Sequence, residues 1–101
     1  MYRIRRTQIF KAWLKAFDDV ITKKRIDARI RRAKNGDFGD RKEVGNGIYE
    51  MRLHFGPGYR LYYFQRGKEV YWLLIGGDKS TQERDVERAK VIKQELERGA
   101  L

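Results

Sequence analysis

Between Ile48 and Gln82 the chain reads IYEMRLHFGPGYRLYYFQRGKEVYWLLIGGDKSTQ. Three runs of strand character are separated there by turns so short that only antiparallel neighbours can be joined. Ile48 to Phe55 alternates, with Tyr49, Met51, Leu53 and Phe55 on one face and Ile48, Glu50, Arg52 and His54 on the other. Gly56-Pro57-Gly58 makes the first turn. Tyr59 to Gln65 follows, with Arg60, Tyr62 and Phe64 on one face, and Arg66-Gly67-Lys68 makes the second turn. Val70 to Ile75 is apolar on both faces, the pattern of a strand covered from both sides.

Helices flank this sheet. Tyr2 to Arg6 alternates weakly, as an edge strand does, and Thr7 is placed as an N-cap. Phe10, Trp13, Leu14 and Phe17 then recur at helical spacing. Asp18-Asp19 breaks the segment. A second helix is expected from about Val20 to Lys34, with Ile26, Ile30 and Ala33 inward, ending at Asn35-Gly36. The next residues, through Gly47, lack apolar periodicity and read as a loop. Ser80-Thr81-Gln82-Glu83 has the spacing of a capping box, and a third helix with Val86, Ala89, Ile92 and Leu96 inward is expected to run to about Arg98. The order is β-α-α-β-β-β-α. The fold class is α+β: a small, mostly antiparallel, twisted sheet with an N-terminal helical hairpin against one face and a C-terminal helix nearby. The 101 residues are expected to form a single domain.

Composition narrows the chemistry. Without cysteine there is no disulfide, thiolate nucleophile or Cys-ligated metal, and one histidine cannot furnish the paired ligands of common zinc sites. No metal or other cofactor is expected. No apolar run approaches the roughly 20 residues of a membrane-spanning helix, and the N-terminal MYRIRRTQ lacks a signal peptide's apolar segment. A cytoplasmic protein is expected. Twenty-four Lys and Arg against fourteen Asp and Glu give a formal charge of +10, a balance that favours a polyanionic partner.

Several groups fit a phosphodiester. Arg52, His54 and Arg60 lie on strand faces expected near the loop that carries Lys79. Arg60 offers a planar, permanently charged fork, and His54 an imidazole, the side-chain type suited to proton transfer near neutrality. The same pattern also fits polar residues alternating on the solvent side of a strand, with Arg60 bridged to Glu50. Gly76 to Ser80 precedes a helix N-terminus, where backbone N–H groups favour an anion and the glycines allow close approach. A capped strand-to-helix turn is the plainer reading of that segment. Lys23, Lys24, Arg25, Arg29, Arg31, Arg32 and Lys34 make the second helix a candidate surface for an RNA backbone. Tyr59, Tyr62 and Tyr63 are candidate stacking surfaces for unpaired bases. RNA supplies its own nucleophile, the 2′-OH, so metal-free cleavage needs only cations at the phosphate and a proton carrier.

Residues 47–53 (GIYEMRL), 58–63 (GYRLYY) and 74–82 (LIGGDKSTQ), with Thr7-x-x-Phe10-x-x-Trp13-Leu14 and Asp85-x-x-x-Ala89, resemble the RelE/ParE toxin superfamily. They are closest to its HigB-like, phage-associated addiction module killer branch. The resemblance covers nearly the whole chain. It implies the toxin of a type II toxin–antitoxin system, partnered by a cognate acidic antitoxin in a hetero-oligomer. RelE-like members cleave mRNA on the ribosome, which implies an mRNA interferase that inhibits translation. ParE-like members instead inhibit DNA gyrase without catalysis, and a non-toxic nucleic-acid-binding module is a third reading. Carried over, Arg60 is the phosphate-stabilising position, Glu50 and Arg52 fall where RelE strands are often basic, and Lys79 is the loop cation. Gln82 and Asp85 mark a C-terminal site where some relatives carry a tyrosine or histidine; this chain has neither there. The proton carrier is then His54 or Glu50.

Overall fold

The computed structural model describes residues 2–68 and 70–100. The elements run β1 (Arg3–Arg6), α1 (Gln8–Lys15), α2 (Val20–Lys34), β2 (Arg41–Gly45), β3 (Ile48–Leu53), β4 (Tyr59–Arg66), β5 (Val70–Asp78), a 3-10 turn (Lys79–Thr81) and α3 (Gln82–Glu97). One sheet carries all five strands in the order β1-β5-β4-β3-β2. β1 lies parallel to β5, and the other three pairs are antiparallel.

The α+β class and the order of helices hold, with one strand added. β2 occupies the segment expected to be loop. It lies at the edge of the sheet and its first three residues are exposed, so it shows no apolar alternation; beyond its backbone pairing, Arg41 Nη1 donates to Tyr63 OH at 3.0 Å. Its signal was in the turn: Asn46 and Gly47 take φ of 56° and 75°, the left-handed pair that a tight hairpin needs.

Both faces of the sheet are covered. Phe10 and Leu14 of α1 and Ile26, Ile30 and Ala33 of α2 pack with Met51, Leu53, Leu61, Tyr63 and Leu73. Ala89, Ile92 and Leu96 of α3 pack with Ile48, Tyr62, Phe64, Leu74 and Ile75. Tyr62 and Tyr63 are therefore core residues on opposite faces, buried away from any base that would stack on them. Leu74 and Ile75 serve the same core because the register between β4 and β5 shifts at Tyr62/Tyr63, where an irregularity interrupts the alternation.

Alternation resumes at the two glycines. A Cβ on Gly76 would stand 2.3 Å from Trp13 of α1, and one on Gly77 would stand 1.8 Å from Asp85 of α3. The pair thus seats one helix on each face of β5. This corrects the expected use of the glycines for close approach to an anion, since protein side chains already fill both faces. The expected capping box is corrected too. Asp78, not Ser80, caps the turn: its Oδ1 accepts from Ser80 N at 2.8 Å, and Thr81 Oγ1 accepts from Asp78 N at 3.2 Å. A carboxylate already sits where an anion would bind.

Gly77→Ala should destabilise the fold by about 1–3 kcal/mol, the usual cost of overpacking, read as a lower urea midpoint with an unchanged slope.

Candidate functional site

Arg52 of β3 and Arg60 of β4 are direct cross-strand partners. Like charges placed opposite each other repel. Glu50, two residues back on β3, shares their face and resolves the conflict. Its Oε2 accepts from Arg52 Nε at 3.0 Å and from Arg60 Nη1 at 2.8 Å. Its Oε1 accepts from Tyr62 OH at 3.1 Å and from Gln82 Nε2, on the first residue of α3, at 2.8 Å. The Glu50 side chain is 0% exposed, whereas Arg60 is 13% and Arg52 31% exposed. Arg60 Nε is buried and has no partner among the described residues.

Burial alone would push the Glu50 carboxyl up, but the bonds from Arg52 and Gln82, the charge of Arg60 and the bond from Tyr62 outweigh it and hold the group below the ordinary glutamate range. Burial and the neighbouring Glu50 charge conversely keep the Tyr62 phenol protonated far above its ordinary range. Glu50 is thus a buried anion at neutral pH, with four donors. That placement corrects its expected role as a proton carrier: it positions the two arginines.

His54 lies just past the end of β3 and is 75% exposed, with Nε2 2.7 Å from Asp40 Oδ2. A carboxylate only accepts, so Nε2 carries the hydrogen and the neutral ring keeps its lone pair on Nδ1. Asp40 escaped the sequence reading because it precedes the unrecognised β2; no spacing ties it to His54.

Arg52, His54, Arg60 and Lys79 line one open groove of about 470 Å³, together with residues 55–58 of the β3–β4 turn and Tyr59 at the start of β4. Lys79 reaches it because the strand-to-helix corner abuts that turn, with Lys79 Cβ 3.4 Å from where a Cβ on Gly58 would lie. A second groove of about 440 Å³ continues past Arg52–Phe55 and is bordered by Arg25, Arg29 and Arg32 of α2. The α2 cations divide accordingly. Lys24, Arg31 and Lys34 are exposed and Lys23 half-buried, outside the lining of either groove. Arg29 is structural, donating to Phe38 O at 3.3 Å and Arg52 O at 3.1 Å. Asp85, the other expected C-terminal position, is buried and accepts from Thr81 Oγ1. Gln82 and Asp85 therefore support the site from beneath. Among the described residues no group of three or more His, Asp or Glu side chains is placed to hold a metal ion.

A family model described as "Phage derived protein Gp49-like (DUF891)" matches residues 12–97. The chain belongs to the Gp49-like family. This is a RelE-like toxin family of toxin–antitoxin systems. An uncharacterized protein of Haemophilus influenzae is 44% identical over 94 residues, covering 93% of this chain and 95% of its own length. In the Gp49-like chain the matched span holds every groove residue named above.

The depressed Glu50 pKa fixes the sign of a pH effect. Its contribution is present above the unfolded value of about 4.3 and is lost as pH falls through the lower folded value. Glu50→Gln should be less stable than wild type at neutral pH, and urea midpoints of the two should converge as pH drops below about 4. Glu50→Ala, which leaves both arginines without a counter-charge, should cost about 3–5 kcal/mol at pH 7.

Proposed function

We propose that this Gp49-like protein is the toxin of a type II toxin–antitoxin system and acts as a ribosome-dependent endoribonuclease of the HigB-like kind. The carrying observation is the convergence of Arg52, Arg60 and Lys79 with an exposed His54 around one open groove. Three cations and a titratable ring are what cleavage by the substrate's own 2′-OH requires. His54 Nδ1 takes the 2′-hydroxyl proton. The 2′-oxygen forms its bond to phosphorus as the bond to the 5′-oxygen breaks, and that oxygen is protonated by water or a ribosomal group. The products are a 2′,3′-cyclic phosphate and a 5′-hydroxyl. Arg52, Arg60 and Lys79 stabilise charge gathering on the phosphate oxygens. Asp40 keeps the His54 lone pair on the working nitrogen.

Shallow, open grooves do not enclose a substrate, which accords with a site completed by the ribosome in the cytoplasm. The exposed cations of α2 are suited to ribosomal RNA phosphates. A cognate acidic antitoxin would cover the same basic surface, with an encounter rate that falls as salt rises.

The test follows protein and DNA synthesis separately after induced expression, with mRNA 5′ ends mapped. Translation should arrest first, with new cuts inside translated codons. Early arrest of DNA synthesis with intact mRNA would replace this reading with gyrase inhibition. Lys79→Ala and His54→Ala touch exposed side chains and leave the Glu50 network whole. Each should lower cleavage roughly a hundredfold, the scale of losing one aimed donor or one proton carrier. If both variants stay as toxic as wild type, with the same cuts, the assigned roles are wrong.

A further inference from the structure

Phe55 borders both grooves, and Arg25 Cζ stands 3.9 Å from the centre of its ring. Phe55 is further braced by Tyr59, whose ring centre is 5.4 Å away. Arg25 differs from the other arginines on its groove. Arg29 donates to two backbone carbonyls, Arg32 pairs with Asp37 at 2.9 Å, and Arg52 bonds Glu50. Arg25 is exposed and has no ion pair among the described residues. Its guanidinium is held on the face of the ring that borders both grooves, in the groove it shares with Arg52. A guanidinium so held keeps its outer face and N–H edges for a ligand, and nucleobases stack on such planes.

We propose that Arg25 on Phe55 is a nucleobase-stacking subsite for the nucleotide adjoining the bound phosphate. This rests on the ribonuclease reading and deepens it: the substrate must present an unpaired, unstacked base as it crosses from one groove to the other. Duplex RNA, whose bases are stacked and paired, cannot fill the subsite. The α2 surface thereby contributes more than charge.

The experiment uses short single-stranded RNAs in which the 2′-OH at the scissile position is removed and one nucleotide at a time is 2-aminopurine, whose fluorescence falls on stacking. Wild type should quench the probe at one position, and a matching duplex should compete poorly. Arg25→Lys keeps the charge and loses the plane. It should lose the quench and bind about tenfold more weakly, with the same dependence of affinity on salt. Phe55→Leu, which removes the support but not the arginine, should do the same, and a thermal melt of each variant establishes that it is folded. If Arg25→Lys binds and quenches as wild type does, the subsite is overturned while RNA binding stands. If duplex competes as well as single strand, it is likewise overturned. If wild type binds none of these RNAs even at low salt, the subsite is overturned, whereas the ribonuclease reading stands or falls separately, by the mRNA 5′ ends mapped after induced expression.

Discussion

One buried carboxylate makes the rest of the site possible. Arg52 and Arg60 face each other across two strands, an arrangement that repels unless an anion stands between them. Glu50 supplies it, and its burial raises the electrostatic stakes in both directions. Fully bonded, it fixes both guanidinium groups. Deprived of them, it would be an unpaired charge in the core. Tyr62 and Gln82 complete the bonding, so the seating of α3 and the aim of the arginines are parts of one network.

The dipeptide Gly76-Gly77 performs the mechanical counterpart. Successive strand residues point to opposite faces, so two glycines in a row open both faces at one level of the sheet. Trp13 enters from one side and Asp85 from the other. The most distinctive stretch of the sequence thus reports helix docking rather than ligand approach. Its service to the site is indirect: by fixing where β5 ends, it delivers Lys79 to the turn between β3 and β4.

Legibility in the sequence followed the strength of periodic burial. α2 was readable to its ends because Ile26, Ile30 and Ala33 are all buried and Asn35-Gly36 stops the helix. β2 was not, because an edge strand that buries almost nothing leaves no apolar pattern, although Asn46-Gly47 carried its turn. In the site, Arg52, His54, Arg60 and Lys79 were legible as residue types and expected near one another, but spacing alone did not fix that they meet. Their convergence depends on where the strand-to-helix corner packs. Glu50 was legible as the partner of Arg60, and that bridge is present; its reading as a proton carrier failed for a related reason. Alternation places it on a face, and only the position of α3 decides that this face is buried. Asp40 had no local signal at all, since its partner lies fourteen residues away.

The order of the strands has a consequence for the molecule in a crowded solution. The sheet ends at β1 and β2, whose sequences are RIRR and RKEVG. An open sheet offers unpaired backbone groups at each border, an invitation to pair with another copy. Here Arg3 and Arg5 line one border and Arg41 and Lys42 the other, all exposed. Two copies meeting border to border bring cation against cation, and like charge at the rim works against the runaway strand pairing that leads to aggregates.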